Sequence, residues 1–320
     1  MKRLLVAAAA LAVAADALAQ AAFPTRPVTL IVGFAPGGGT DIAARIVAKQ
    51  LATELGQQVV VENRAGAGGN IATGAVARAV PDGHLISLAT ISSLTVQPHL
   101  NSKLPYDPRR DLAPLTMGVA FANVLVVHPS VPAATVAEFV ALARAKPETI
   151  GYGTSGIGTT GHLAGELFRI TAQAPIVHVP YKGGGPAMAD LVGGQIPASF
   201  ASAPSALPQV RAGKIRALAT TGAARSSFLP DVPTIAESGY PGYEAINWYA
   251  FVAPAKTPKE VVDRLNRDLV KSLNTPEIRE QLLNNGMEPQ PSTPEALARY
   301  IDREFATWGR VVKEAGIQAE

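Results

Sequence analysis

The chain has 320 residues, 48% of them apolar and 17% charged, enough to build the cores of two domains and too few charges for a disordered chain. Its 28 basic and 25 acidic side chains give a net charge of +3, spread without a basic patch, so nothing points to nucleic acid. The absence of cysteine excludes disulfides, zinc–thiolate and iron–sulfur sites and a cysteine nucleophile.

Lys2 and Arg3 precede an apolar run over residues 4–15, and Ala17-Leu18-Ala19 ends it in a small-x-small pattern. This is the pattern of a cleaved signal peptide over 1–19, with the mature chain starting near Gln20. The run is too short to span roughly 30 Å of hydrocarbon, and no cysteine follows to carry a lipid. An exported, periplasmic protein is expected. Residues 28–34 then read as a strand buried on both faces. Thr40 or Asp41 can cap a helix with Ile42, Ile46, Val47, Leu51 and Leu55 on one face, stopped by Gly56. A strand at 59–62, a glycine-rich turn, a helix at 71–79 and a strand at 85–90 follow. Further strands are expected at 124–127, 150–152, 176–179, 198–201 and 215–220, with helices at 136–145, 161–171, 186–192 and 207–212. The alternation predicts parallel sheets with helices on both faces. The last third has one strand, 247–252, and helices at 258–273, 276–285 and 294–315. In the last helix Leu297, Ile301, Phe305, Trp308 and Val312 form an apolar stripe that places Trp308 in the core.

Two glycine-rich loops join a strand to a helix. The first, Phe34-Ala35-Pro36-Gly37-Gly38-Gly39-Thr40-Asp41, lacks the lysine of a phosphate loop, and Asp41 would repel a triphosphate. The second runs from Gly151 to His162 and satisfies G-x-G-x-x-G, but no acidic residue follows at the dinucleotide spacing. A nucleophile elbow at Ser155 fails because Ile157 stands where glycine is needed, so a hydrolase using Ser155 and His162 is the weaker alternative. The five histidines are scattered and give no metal-ligand spacing. The two loops suggest two lobes facing one ligand, each offering backbone N–H groups at a helix start, a site suited to a small carboxylate. Neither loop carries Lys or Arg.

At these loops the chain resembles the Bug-type substrate-binding proteins of tripartite tricarboxylate transporters. The resemblance also runs through Pro24-Thr25-Arg26-Pro27, Val60-Val61-Glu62-Asn63-Arg64-Ala65-Gly66, Leu104-Pro105-Tyr106-Asp107-Pro108 and Gly158-Thr159-Thr160-Gly161-His162. It continues at Val179-Pro180-Tyr181-Lys182-Gly183, Gly193-Gly194-Gln195 and Ala212-Gly213-Lys214-Ile215-Arg216, and covers essentially the whole mature chain. It implies an α/β, type II periplasmic binding protein fold with two Rossmann-like lobes and a cleft between them, and no catalysis. Lobe one would be 24–122 with 251–320, and lobe two 123–250. It implies that a ligand carboxylate is held by Phe34, Ala35, Gly38, Gly39, Thr40 and Asp41 of lobe one and by Ser155, Gly158, Thr159 and Thr160 of lobe two. Ser92, Tyr181 and Ser202 would then choose among di- or tricarboxylates, aromatic acids and amino acids. Ala201 stands in the neighbourhood where many relatives carry Asp or Asn, which argues against an amine-binding role. Glu62, Asn63 and Arg64 read as structural pairing and capping. No cofactor and no metal are expected, the protein is expected to be a monomer, and its partners would be membrane subunits of a tripartite transporter or a sensor ectodomain.

Overall fold

The computed structural model describes residues 23–314, so the leader expected over 1–19 lies outside the described residues. The chain begins with Val28–Val32 (β1), Gly39–Leu55 (α1), Val59–Asn63 (β2), Asn70–Ala77 (α2), Leu85–Thr90 (β3) and the short Gln97–Leu100 (α3). A 16-residue strand, Leu112–Val127 (β4), leads to Val136–Ala145 (α4), Ile150–Thr154 (β5), Thr160–Thr171 (α5) and Ile176–Pro180 (β6). Gly184–Val192 (α6), Ala198–Ser202 (β7), Ala203–Arg211 (α7) and Arg216–Thr220 (β8) follow. Ile246–Pro254 (β9), Lys259–Asn274 (α8), Pro276–Asn284 (α9), Glu288–Pro289 (β10) and Pro294–Glu314 (α10) complete the chain.

The strands order β2-β1-β3-β9-β4-β7-β5-β6, with β8 and β10 also paired to β4. Pairing is parallel between β1 and its neighbours β2 and β3, and between β5 and its neighbours β6 and β7. It is antiparallel wherever β4 or β9 takes part. The expected parallel sheets are therefore corrected to a mixed sheet, because two long strands run back through its middle. β4 pairs with β9 from Leu112 to Ala122 and with β7 and β8 from Asn123 to Val127. This change of partner divides the molecule into the two lobes of a periplasmic binding protein fold.

β4 starts well before the expected 124. Pro114 and Gly118 disguise its first half, but the register shifts at 114/116 and 117/119, and such bulges accommodate residues that a regular ladder excludes. In β1, Val28, Leu30, Ile31 and Val32 are fully buried, as a strand covered on both faces requires. Helix α1 covers it with Ala43, Ala44, Val47, Leu51 and Leu55 buried, while Ile42 and Ile46 sit half-buried at the border of that face. Gly56, in the left-handed region at φ 67°, ends the helix. In α10, Leu297, Ile301 and Val312 are buried and Trp308 is half-buried, packed against the same apolar cluster. The strands deliver their carboxyl ends, and hence the loops that follow them, to the cleft between the lobes.

Candidate functional site

Four helix N-termini converge on one cavity. Gly39 of α1, Thr160 of α5 and Gly184 of α6 line it, as does Ser202, the residue before α7. Each helix start leaves backbone N–H groups without a carbonyl one turn earlier, and each carries roughly half a positive charge. Counted with its open mouth, the cavity has about 420 Å³ of space not filled by atoms. None of its lining residues is Asp, Glu, Lys, Arg or His. Burial pushes the phenol of Tyr249 well above its ordinary value, so it lines the cavity as a neutral hydroxyl.

The cavity also collects orphaned polar atoms. Seven buried side-chain N or O atoms among the described residues have no protein partner. Five of them belong to lining residues: Thr90 Oγ1, Ser92 Oγ, Asn123 Nδ2, Thr160 Oγ1 and Asn247 Oδ1. Leaving a buried polar group unpaired costs about 1–3 kcal/mol, so such a concentration marks a place built to meet something polar. Asn123 and Asn247 come from β4 and β9, the strands that cross between the lobes, and form the cleft floor. Neither was singled out from sequence as a site residue. The legible signal for Asn123 is one carboxamide inside the apolar run Val119-Ala120-Phe121-Ala122-Asn123-Val124-Leu125.

Other groups hold the loops that carry the site. Asp41 does not line the cavity. Its carboxylate accepts hydrogen bonds from Gly37 N–H (3.0 Å), Arg45 Nε (3.0 Å) and Asn63 Nδ2 (3.0 Å). Burial opposes its ionisation, but the bonds from Arg45, Gly37 and Asn63 outweigh burial and hold the carboxyl below its ordinary range. Asn63 Nδ2 also reaches Phe34 O (2.9 Å), and Arg64 pairs with Glu62 (2.6 Å), so this trio is structural. In the second loop Gly158 N–H is engaged by His162 Nδ1 (3.1 Å), and Gly158 lies outside the lining. Thr159 does line the cavity, with its hydroxyl donated back to Gly156 O (2.6 Å). His162 stacks on His178 with ring centroids 4.0 Å apart, and His178 bonds Thr154 Oγ1 (2.7 Å) at the loop's base. Burial, then repulsion from His162, lowers the His178 pKa to about 3.

The structure thus brings Phe34, Gly39, Thr40, Ser92, Ser155, Thr159, Thr160 and Ser202 together around the cavity. Ala35, Gly38, Asp41, Gly158 and Tyr181 stand outside its lining. Ala35 N–H is bonded to Lys182 O (3.1 Å) across the cleft. There the rims of the lobes meet backbone to backbone. A Cβ on Gly185 would overlap the carbonyl of Pro36, and one on Gly183 would lie 2.8 Å from Ala35 N.

Comparison with known proteins agrees with this architecture. The profile of the tripartite tricarboxylate transporter family receptor matches residues 43–317. Protein BugT of Bordetella pertussis is 38% identical over 295 residues, covering 92% of this chain and 90% of BugT. The structure of R. palustris Rpa4515 with adipate superposes with a TM-score of 0.89 at 38% identity, covering 92% of this chain and 99% of that one. MatC from Rhodopseudomonas palustris with bound malate gives 0.86 at 32% identity, covering 91% and 100%. With the loop histidine engaged by Gly158 N–H and stacked on His178, and with receptors for relatives, the second loop is no hydrolase centre, and this chain belongs to the tripartite tricarboxylate transporter receptor family as a Bug-type solute-binding protein.

Proposed function

We propose that the protein is exported to the periplasm, captures a small organic carboxylate between its lobes and presents it to the membrane subunits of a tripartite transporter. One observation carries the ligand chemistry. Four helix N-termini and five unpartnered polar side-chain atoms meet in a cavity without an ionised side chain. Such a set favours an anion with acceptor oxygens, while an ammonium would meet no counter-charge there. Each N–H or O–H bond to a carboxylate is charge-assisted and contributes about 1.5–3 kcal/mol. Three or four go far toward the roughly −8 kcal/mol of a micromolar complex after the cost of association. The adipate- and malate-bound relatives support the same ligand chemistry.

Gly39, Thr40, Ser92, Ser155, Thr160 and Ser202 are the groups we assign to the carboxylate, with Asn123, Asn247 and Tyr249 added from the floor. The lobes, 24–122 with 251–320 and 123–250, would close about the crossings of β4 and β9. Among the described residues no helix is long and apolar enough to cross a membrane, in keeping with release into the periplasm. The test is a thermal-shift screen of mono-, di- and hydroxycarboxylates and amino acids, followed by calorimetry. A true ligand at 100 times its Kd stabilises by about 2.7 kcal/mol. Stabilisation by amino acids but by no simple carboxylate would refute the ligand class. A mature N-terminus far from Gln20 would refute the export reading.

A further inference from the structure

The cleft is crossed by a side-chain bond in which no ligand takes part. Gln97 opens α3 in lobe one, and its Nε2 donates to Ile157 O (2.7 Å) in the second loop of lobe two, 60 positions away. Neither residue lines the inner cavity. Both line a second cavity beside it, which shares Phe34 and Ser155 with the first. We infer that Gln97 is a latch: it draws the lobes together through Ile157, with or without a ligand between them, and so sets affinity without touching what is bound. The inference does not depend on the class of ligand.

Gln97 is 6% exposed, and its carboxamide is seated between two glycines, one from each lobe. A Cβ on Gly158 would lie 2.7 Å from Nε2, and a Cβ on Gly68 would overlap it. Both glycines have a left-handed backbone, φ 70° and 62°, which residues with a side chain rarely adopt, so the two turns that form the seat also leave it free of side chains. The donor is rooted at the inner cavity, because Gln97 N–H bonds Ser92 O and Ser92 lines that cavity. The acceptor is rooted there too, since Ile157 lies between Ser155 and Thr159, which line it from the other lobe. Closing the lobes on a ligand therefore joins Nε2 and the carbonyl in the same movement, and parting the lobes gives both to water. No atom of the ligand enters the bond, so its contribution is the same for every ligand. A neutral hydrogen bond exchanged for water is modest in net value, a factor of roughly 2 to 12 in the ratio of closed to open protein. That factor acts on release, because the cleft has to open before a ligand leaves.

Two measurements test this on Gln97→Met, which keeps the length and drops the donor, and on Gln97→Ala, which leaves the seat empty. The chain has no cysteine, so Lys103→Cys in lobe one and Thr171→Cys in lobe two, both exposed positions, take one spin label each. Double electron–electron resonance on the ligand-free protein should show a closed and an open distance, with the closed-to-open ratio roughly 2- to 12-fold smaller in both variants. Distance distributions identical to wild type overturn the latch. Stopped-flow binding with malate and with adipate as probes should show release faster by roughly the same 2- to 12-fold for both acids, and association within about twofold of wild type. A loss confined to one acid would make Gln97 a ligand contact, and slower association with unchanged release would make it a support of the loop alone; either overturns the proposal. If neither acid binds the wild type while the distances shift as expected, the carboxylate reading loses these two acids and the latch stands.

Discussion

Thr160→Val separates a side chain placed for a ligand from one placed for the fold. Thr160 is the first residue of α5, 1% exposed, and its Oγ1 has no protein partner. Valine keeps the shape and the backbone N–H and removes only the hydroxyl. The folded protein therefore loses no internal hydrogen bond. It is relieved of a buried group whose unpaired state costs up to about 1–3 kcal/mol. At about 2.1 cal/mol/K of unfolding entropy per residue, 292 described residues move the midpoint by roughly 1.6 °C per kcal/mol. Unliganded Thr160→Val should accordingly unfold at the wild-type temperature or up to a few degrees above it. The bound carboxylate, by contrast, loses one charge-assisted hydrogen bond, about 1.5–3 kcal/mol, which is roughly 10- to 150-fold in Kd. Thr160→Ser should bind within a few-fold of wild type. Differential scanning calorimetry without ligand and titration calorimetry with it measure the two effects. A variant that unfolds several degrees earlier, or that binds within twofold of wild type, would refute the placement of this hydroxyl at the ligand.

Gly39→Leu should abolish measurable binding, because a Cβ there would lie 2.8 Å from Tyr249 Oη and 2.9 Å from Ser202 Oγ in the cavity wall. Titration calorimetry reads this, and retained affinity would move the site elsewhere. Asn63→Ala should weaken binding without touching the cavity, since Phe34 O and Asp41 both lose its amide, and should cost about 1–2 kcal/mol of stability by chemical denaturation. Acid should destabilise the protein through His178. Its folded pKa, near 3, lies below the ordinary 6.5, so the unfolded chain takes the proton first. The contribution is complete above pH 6.5 and is lost as pH falls toward 3, with about 2 kcal/mol gone by pH 5. Denaturation at pH 7 and pH 5 should show that slope in the wild type and a flatter one in His178→Gln.

The elements were legible where one physical signal dominated. The apolar run of β1 and the glycine at 56 each had a single reading, and the structure agrees with them, whereas the face of α1 was placed only in part: Val47, Leu51 and Leu55 are buried, but Ala43 and Ala44 take the places read for Ile42 and Ile46. Strand direction was not legible, because β4 and β9 have the same apolar patterning as parallel strands and only the pairing reveals that they run back. At the site, the glycine-rich loops pointed to the cleft, but Asp41 and Gly158 illustrate the limit. A carboxylate or a glycine N–H in such a loop serves the ligand or the loop itself, and that depends on Arg45 and Asn63, outside the first loop, and on the direction the His162 ring takes at the end of the second. Asn123 and Asn247 are 124 positions apart, and nothing local announces that two crossing strands bring them to one floor.

The glycines at 183 and 185 face Ala35 and Pro36 with no side chain interposed. In the closing motion proposed above, the approach of the two rims would end at main-chain contact, and the chain itself, not the ligand, would set how far the lobes travel. The enclosed space would then be a fixed gauge. A molecule that fits would let the rims meet with the Ala35–Lys182 bond in place, as it is here; one carrying extra bulk would hold them apart and the bond unmade. Size discrimination in this design requires no dedicated clashing residue, and a membrane component that recognises the joined rims would receive only cargo that has already passed the gauge.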